Sequence, residues 1–133
     1  MTANTYFETQ TNTAGPGELV VMLYKGAVRF LASAIQGLEA KDLQIASNKL
    51  LLAQAIITEL IETLDMKQGG ELAVNLGRIY EYMNYRLADA NVRKDAAPVR
   101  EVEGLLRELL PAWEQAARLT PAAPVRRLVS AAA

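Results

Sequence analysis

The chain contains neither cysteine nor histidine. Without cysteine there is no disulfide framework, thiol nucleophile or zinc–thiolate site. Without histidine, a phosphotransfer bundle has no phosphoryl carrier and a di-iron bundle lacks its Glu-x-x-His motifs. Haem ligation is left with Met66 and Met83 as weak ligands, and Ser33, Ser47 and Ser130 have no imidazole to activate them. A lysine base remains open, but no serine–lysine spacing singles one out. The Glu59 and Glu62 pair fits a solvated helix face better than an acid–base dyad. Gly69–Gly70 lacks the Lys-Ser/Thr that completes a phosphate loop and reads as a turn. Neither sign of charge dominates: 14 Lys and Arg stand against 15 Asp and Glu, for a formal charge of −1. That balance argues against nucleic acid, whose binders work by neutralising phosphates. No run approaches the roughly 18 apolar residues of a membrane span, and the first residues show no basic stretch leading into an apolar one. The expectation is a cytoplasmic, non-enzymatic protein with no cofactor or metal and no direct membrane insertion. Binding is the function class that remains.

Of the 133 residues, 51% are hydrophobic and only 6% aromatic, a composition suited to an aliphatic helical domain of one core. Residues 1–14 are rich in Thr and Asn, with Tyr6 and Phe7 as the large apolar groups. Such a segment cannot repay its ordering entropy alone and is expected to be a mobile arm. A first helix opens at Gly15–Pro16, where proline suits the first turn and Glu18 favours the positive end of the helix dipole. Leu19, Val20, Leu23, Ala27, Phe30, Leu31, Ala34 and Leu38 gather on one side of it at about 100° per residue. Asp42 is a plausible N-cap for a second helix reaching Asp65, with Leu43, Ala46, Leu50, Ala53, Ile57, Leu60 and Leu64 as its seam. Lys67–Gly70 forms a stop. A third helix follows over Gly70–Asn91, bearing Leu72, Leu76, Ile79, Tyr80, Met83, Leu87 and Ala90. Tyr82 and Tyr85 lie off that stripe. After a turn with Asp95 as a possible cap, a fourth helix carries Val99, Val102, Leu105, Leu106, Leu109, Trp113 and Ala116. Pro111 is expected to kink or break it between Leu109 and Trp113. Residues 120–133 hold two prolines and no stripe, and are expected to be a disordered tail.

Four helices joined by short loops give an all-α, antiparallel up-down bundle over residues 15–119. Two of the helices are apolar over more width than one core seam needs. Tyr24, Val28 and Ile35 extend the first, while Leu51 on one side and Leu52 and Ile56 on the other flank the second. Either these flanks are buried between neighbouring helices, or they border a groove open to a partner helix.

The order of residues resembles a known family. Thr13-Ala14 and Pro16 are followed by Glu18-Leu19, Met22-Leu23-Tyr24 and the Gly26-Ala27 step. Then come Gln54-Ala55-Ile56-Ile57, Glu59-Leu60, Leu64-Asp65 and Gly69-Gly70-Glu71. Asn75-Leu76, Ile79-Tyr80, Tyr82-Met83, Leu87 and Ala90-Asn91 complete the third helix, with Leu109 and Trp113 in the fourth. Over roughly Tyr6 to Trp113 the chain resembles the flagellar secretion chaperone family, FliS. The resemblance implies a cytoplasmic four-helix bundle that binds the disordered C-terminal segment of flagellin in apolar grooves. It implies that flagellin is kept unpolymerised for flagellar type III export, with contacts to the export gate, and that the N-terminal arm covers part of the surface until flagellin arrives. Two positions depart from the family pattern. Lys25 stands where an acidic residue is common, and Pro111 interrupts the last helix.

On that basis the flagellin-binding residues are expected to be Tyr6, as an anchor of the arm, with Tyr24, Val28 and Ile35 facing Leu52 and Ile56 across a groove. Asn48, one turn before Leu52, is expected to hydrogen-bond the partner backbone. The alternative is a structural or regulatory bundle that buries the same flanks by forming a homo-oligomer.

Overall fold

The computed structural model describes residues 16–119. The expected arm with Tyr6 and the expected tail lie outside the described residues. The described residues form four helices: α1 over Pro16–Glu39, α2 over Leu43–Glu62, α3 over Gly70–Arg93 and α4 over Ala96–Leu119. Among the described residues there is no strand.

The local chemistry of each turn explains where the helices begin and end. Asp42 caps α2, its carboxylate accepting from the Ile45 amide at 3.3 Å. Asp95 does the same for α4 through the Ala97 amide at 3.0 Å. Each satisfies a donor that the first turn leaves without a helical partner. The α2 helix stops at Glu62, short of the Asp65 expected from the sequence. There the Thr63 hydroxyl donates back to the Leu60 carbonyl, and the Asp65 carboxylate takes the amides of Lys67 and Gln68 into a turn. These short polar side chains offer the backbone a better partner than another helical turn would. At the far end of the molecule α3 runs on to Arg93, and Lys94 closes it in a left-handed conformation.

The helices form a ring. α1 packs beside α2 and α4, α3 packs beside α2 and α4, and the diagonal pairs keep their backbones apart. With short connections reversing the chain each time, this is the antiparallel four-helix bundle anticipated above. The α1–α2 seam is close because small residues face each other. A Cβ on Gly37 would stand only 3.0 Å from the Ala46 nitrogen, so a larger residue there would have to push α2 outward. Ala27, Ala34, Ala46 and Ala53 are fully buried along the same pair.

Pro111 does not break α4, which continues as one helix through Leu119. Pro111 and Arg107 are both exposed, so the Arg107 carbonyl that loses its amide partner faces the wet side of the helix. Two residues later Trp113 is buried against α1 and α3. That anchoring packing outweighs the local penalty of proline.

Candidate partner-binding cleft

The four seams of the ring differ in what closes them. The α1–α2 seam brings Gly37 close against Ala46, with a hollow of about 330 Å³ beside them lined by Ser33, Gln36, Asp42, Ile45 and Lys49. Between α1 and α4, charged pairs bridge the rim: Lys25 with Glu114, and Glu39 with Arg100. Between α2 and α3, amides and hydroxyls are matched. Asn84 donates to the Thr58 hydroxyl at 3.2 Å, Gln54 to the Asn84 carbonyl at 3.4 Å, and Asn91 to the Ser47 hydroxyl at 3.3 Å. The α3–α4 seam has the sparsest packing of the four, and here the molecule is open.

Two adjoining hollows occupy that seam. The larger, of about 490 Å³, lies between Ile79 and Tyr82 of α3 and Leu105, Glu108 and Leu109 of α4. The smaller, of about 160 Å³, is enclosed by Leu72, Leu76, Leu109, Ala112 and Trp113. Leu109 borders both, so they form one cleft along the bundle. Its floor is hydrocarbon and its mouth is polar. Glu101 accepts from the Tyr82 hydroxyl at 2.8 Å and from Arg86 Nε at 2.6 Å. The Arg86 hydrogen bond, then that of Tyr82, holds the Glu101 carboxyl below its ordinary range. Arg78 and Glu108 also line the mouth, and neither forms an ion pair among the described residues. An apolar trough with charged margins of both signs is the shape that receives one face of an amphipathic helix.

Beneath the cleft lies a hydrogen-bonded aromatic cluster joining three helices. The Trp113 indole N–H donates to the Tyr24 hydroxyl at 3.0 Å, and the Tyr24 and Tyr80 hydroxyls are 2.6 Å apart. The ring centroids of Tyr24 lie 6.3 Å from those of both neighbours, edge-on to Tyr80 and tilted to Trp113. Burial disfavours the charged phenolate. It pushes the Tyr24 hydroxyl up to about 12 and the Tyr80 hydroxyl higher still.

The residues anticipated from the sequence are not brought together in one groove. Tyr24 and Ile56 are 0% exposed and Val28 9%, so all three belong to the core. Half-buried Ile35 and Leu52 and exposed Asn48 remain near the surface. The two halves of the expected groove also sit on opposite flanks of α1. Lys25 and Glu39 pair with α4, and Val28 and Ile35 share their face at three- and four-residue spacing. Leu52 instead lies one turn from Lys49, whose ammonium sits 5.4 Å from the Phe30 ring on the α2-facing side of α1. This separation has a simple physical cause. The apolar width on α1 is shared between its two neighbours, α2 and α4.

Leu72, Leu76, Ile79, Leu105, Leu109 and Trp113 read in the sequence as ordinary core stripe. One available signal was Leu105, Leu109 and Ala112, a second apolar row on α4 beside the Val102–Leu106–Trp113 seam. Its exposure depends on how closely α3 approaches, which no periodicity reports.

Among the described residues the molecule is a four-helix bundle with an open apolar cleft between α3 and α4. Its kinship is specific. The family model described as flagellar protein FliS matches residues 1–120. The chain is 40% identical over 111 residues to the flagellar secretion chaperone FliS of Bacillus subtilis strain 168, covering 84% of this chain and 82% of the relative. It is also 40% identical over 109 residues to the FliS chaperone of Salmonella typhimurium strain LT2, covering 81% of each. The flagellar secretion chaperone FliSB of Pseudomonas aeruginosa matches at 40% over 109 residues, or 80% of this chain and 85% of that one. The chain belongs to the FliS family.

Proposed function

We propose that this protein is a flagellar export chaperone that holds the disordered C-terminal segment of flagellin in the α3–α4 cleft. Held there, the segment cannot polymerise and remains competent for type III export from the cytoplasm. The observation that carries the reading is the contrast between seams. The α3–α4 seam packs most sparsely, and beneath its Arg86–Glu101 bridge Ile79, Leu105 and Leu109 border an open apolar trough, whereas the hollow beside α1 and α2 is lined by Ser33, Gln36, Asp42 and Lys49 around Ile45. Membership of a family of flagellar secretion chaperones supports a protein partner from flagellar export. Among the described residues no helix is long and apolar enough to cross a membrane, and no acidic cluster could hold a metal. The chain's role is to bind and release, with unbinding coupled to export rather than to chemistry of its own. Ordering the segment consumes about 2–5 kcal/mol, so the cleft is one part of a larger wrapped interface.

Calorimetric titration with the C-terminal segment of the host's flagellin tests this. Saturable one-to-one binding with a negative heat-capacity change is expected, because apolar surface is buried. The double variant Leu105→Glu, Leu109→Glu, shown by circular dichroism to stay helical, should lose it. Leu52→Asp is measured alongside; a loss that follows Leu52 instead would move the site to the α1–α2 side. Absence of binding by the wild type, with a mass that rises with concentration, would make self-association the function.

A further inference from the structure

Trp113 is at once a wall of the cleft and a member of the buried cluster. An indole has one polar atom, a donor that needs an acceptor when buried. Here the acceptor is the Tyr24 hydroxyl, reached across the bundle from α1 at 3.0 Å. Tyr24 is itself fully buried and takes no part in lining the cleft. With its nitrogen tied inward, the indole offers the cleft only carbon, and Leu72, Leu76, Leu109 and Ala112 complete an apolar pocket. Pro111 sharpens the dependence. It deletes one backbone hydrogen bond just before Trp113, so the setting of the last turns of α4 relies more on this side-chain anchor.

We infer that Tyr24 is a positioning residue for partner binding: by engaging the Trp113 N–H, it keeps the narrow end of the α3–α4 cleft apolar and fixed, fitted to an aliphatic or aromatic side chain of the bound segment. This rests on the chaperone reading above and adds to it a residue that acts from inside the core. Removing the Tyr24 hydroxyl would take from the indole donor the acceptor it holds at 3.0 Å, leaving Tyr80 as the other hydroxyl of the cluster near it. The ring would then turn its N–H toward water in the cleft or stay buried with the donor unpaired, and either change weakens an apolar guest.

The chain's one tryptophan is Trp113, so its emission reports this contact without any ligand. Tyr24→Phe should remain helical by circular dichroism, shift the emission to longer wavelength and make it easier to quench with acrylamide. Its affinity for the flagellin C-terminal segment should fall about tenfold, the scale of one unsatisfied buried donor. Tyr80→Phe, which keeps the Trp113–Tyr24 bond, should leave the emission in place. Unchanged emission in Tyr24→Phe overturns the inference. So does a shifted emission with wild-type affinity, since the bond would then be structural only. If the wild type itself fails to bind, the chaperone reading falls and takes this inference with it, an outcome kept distinct by the ligand-free emission. Should Tyr24→Phe not fold, exchange of the wild-type Trp113 indole proton decides: slow exchange, further slowed by the bound segment, supports the inference, and fast exchange overturns it.

Discussion

At the scale of single residues, the buried hydroxyls of Tyr24 and Tyr80 tie pH to stability. Both favour the neutral phenol in the folded state, Tyr24 moving from an ordinary 10.0 to about 12 through burial. The folded value is the higher one, so the contribution is complete below pH 10 and is lost as pH rises toward 12. Over that window the unfolded chain sheds these protons and the folded chain does not. Melting temperature should therefore decline steeply from pH 10 upward. A spectrophotometric titration should find that, of the five tyrosines, Tyr24 and Tyr80 ionise only as helical circular dichroism collapses. Ionisation of both in a still helical protein would show that the cluster is open to solvent.

At the scale of the element, α4 is the helix in which local and tertiary preferences disagree. Proline in a helix interior costs about 3 kcal/mol relative to alanine in model systems, yet α4 runs through Pro111 to Leu119. The indole of Trp113 and the apolar row beside it hold the last turns in place. Pro111 is exposed, so replacing it removes no core contact. Pro111→Ala should raise stability by about 1–3 kcal/mol in urea unfolding, through the restored hydrogen bond to Arg107. No gain would mean that the helix has already relaxed around the proline. The caps show the opposite situation, in which local chemistry and final structure coincide: Asp42 and Asp95 stand in the sequence where the structure uses them.

At the scale of the whole molecule, the proposed binding of a partner along α3–α4 follows from the asymmetry of the four seams. A chain bound along α3–α4 should slow amide hydrogen exchange in those helices more than in the Gly37–Ala46 region, where α1 and α2 already touch. Uniform slowing would indicate global stabilisation by mass action, and slowing centred on α1 and α2 would return the site to the Leu52 side. The same asymmetry explains why the fold was more legible than the site. Helix number, order and caps follow from periodicity and turn chemistry, which are properties of neighbours in sequence. The anticipated groove grouped Tyr24, Val28 and Ile35 with Leu52 and Ile56 because all exceed the width of one seam. In the ring, α1 has two neighbours, and the excess is spent on both.

The sequence by itself determined a histidine- and cysteine-free helical bundle, its four apolar stripes, its capping residues and its family. Those are fixed by composition and by contacts within a few residues of chain. Only the tertiary structure decided which apolar flank stays uncovered. That depends on interhelical distance, which Gly37 makes short between α1 and α2, and which the side chains between α3 and α4 leave long enough for a cleft. A stripe of leucines looks the same in sequence whether the next helix lies against it or stands off by the width of a guest side chain.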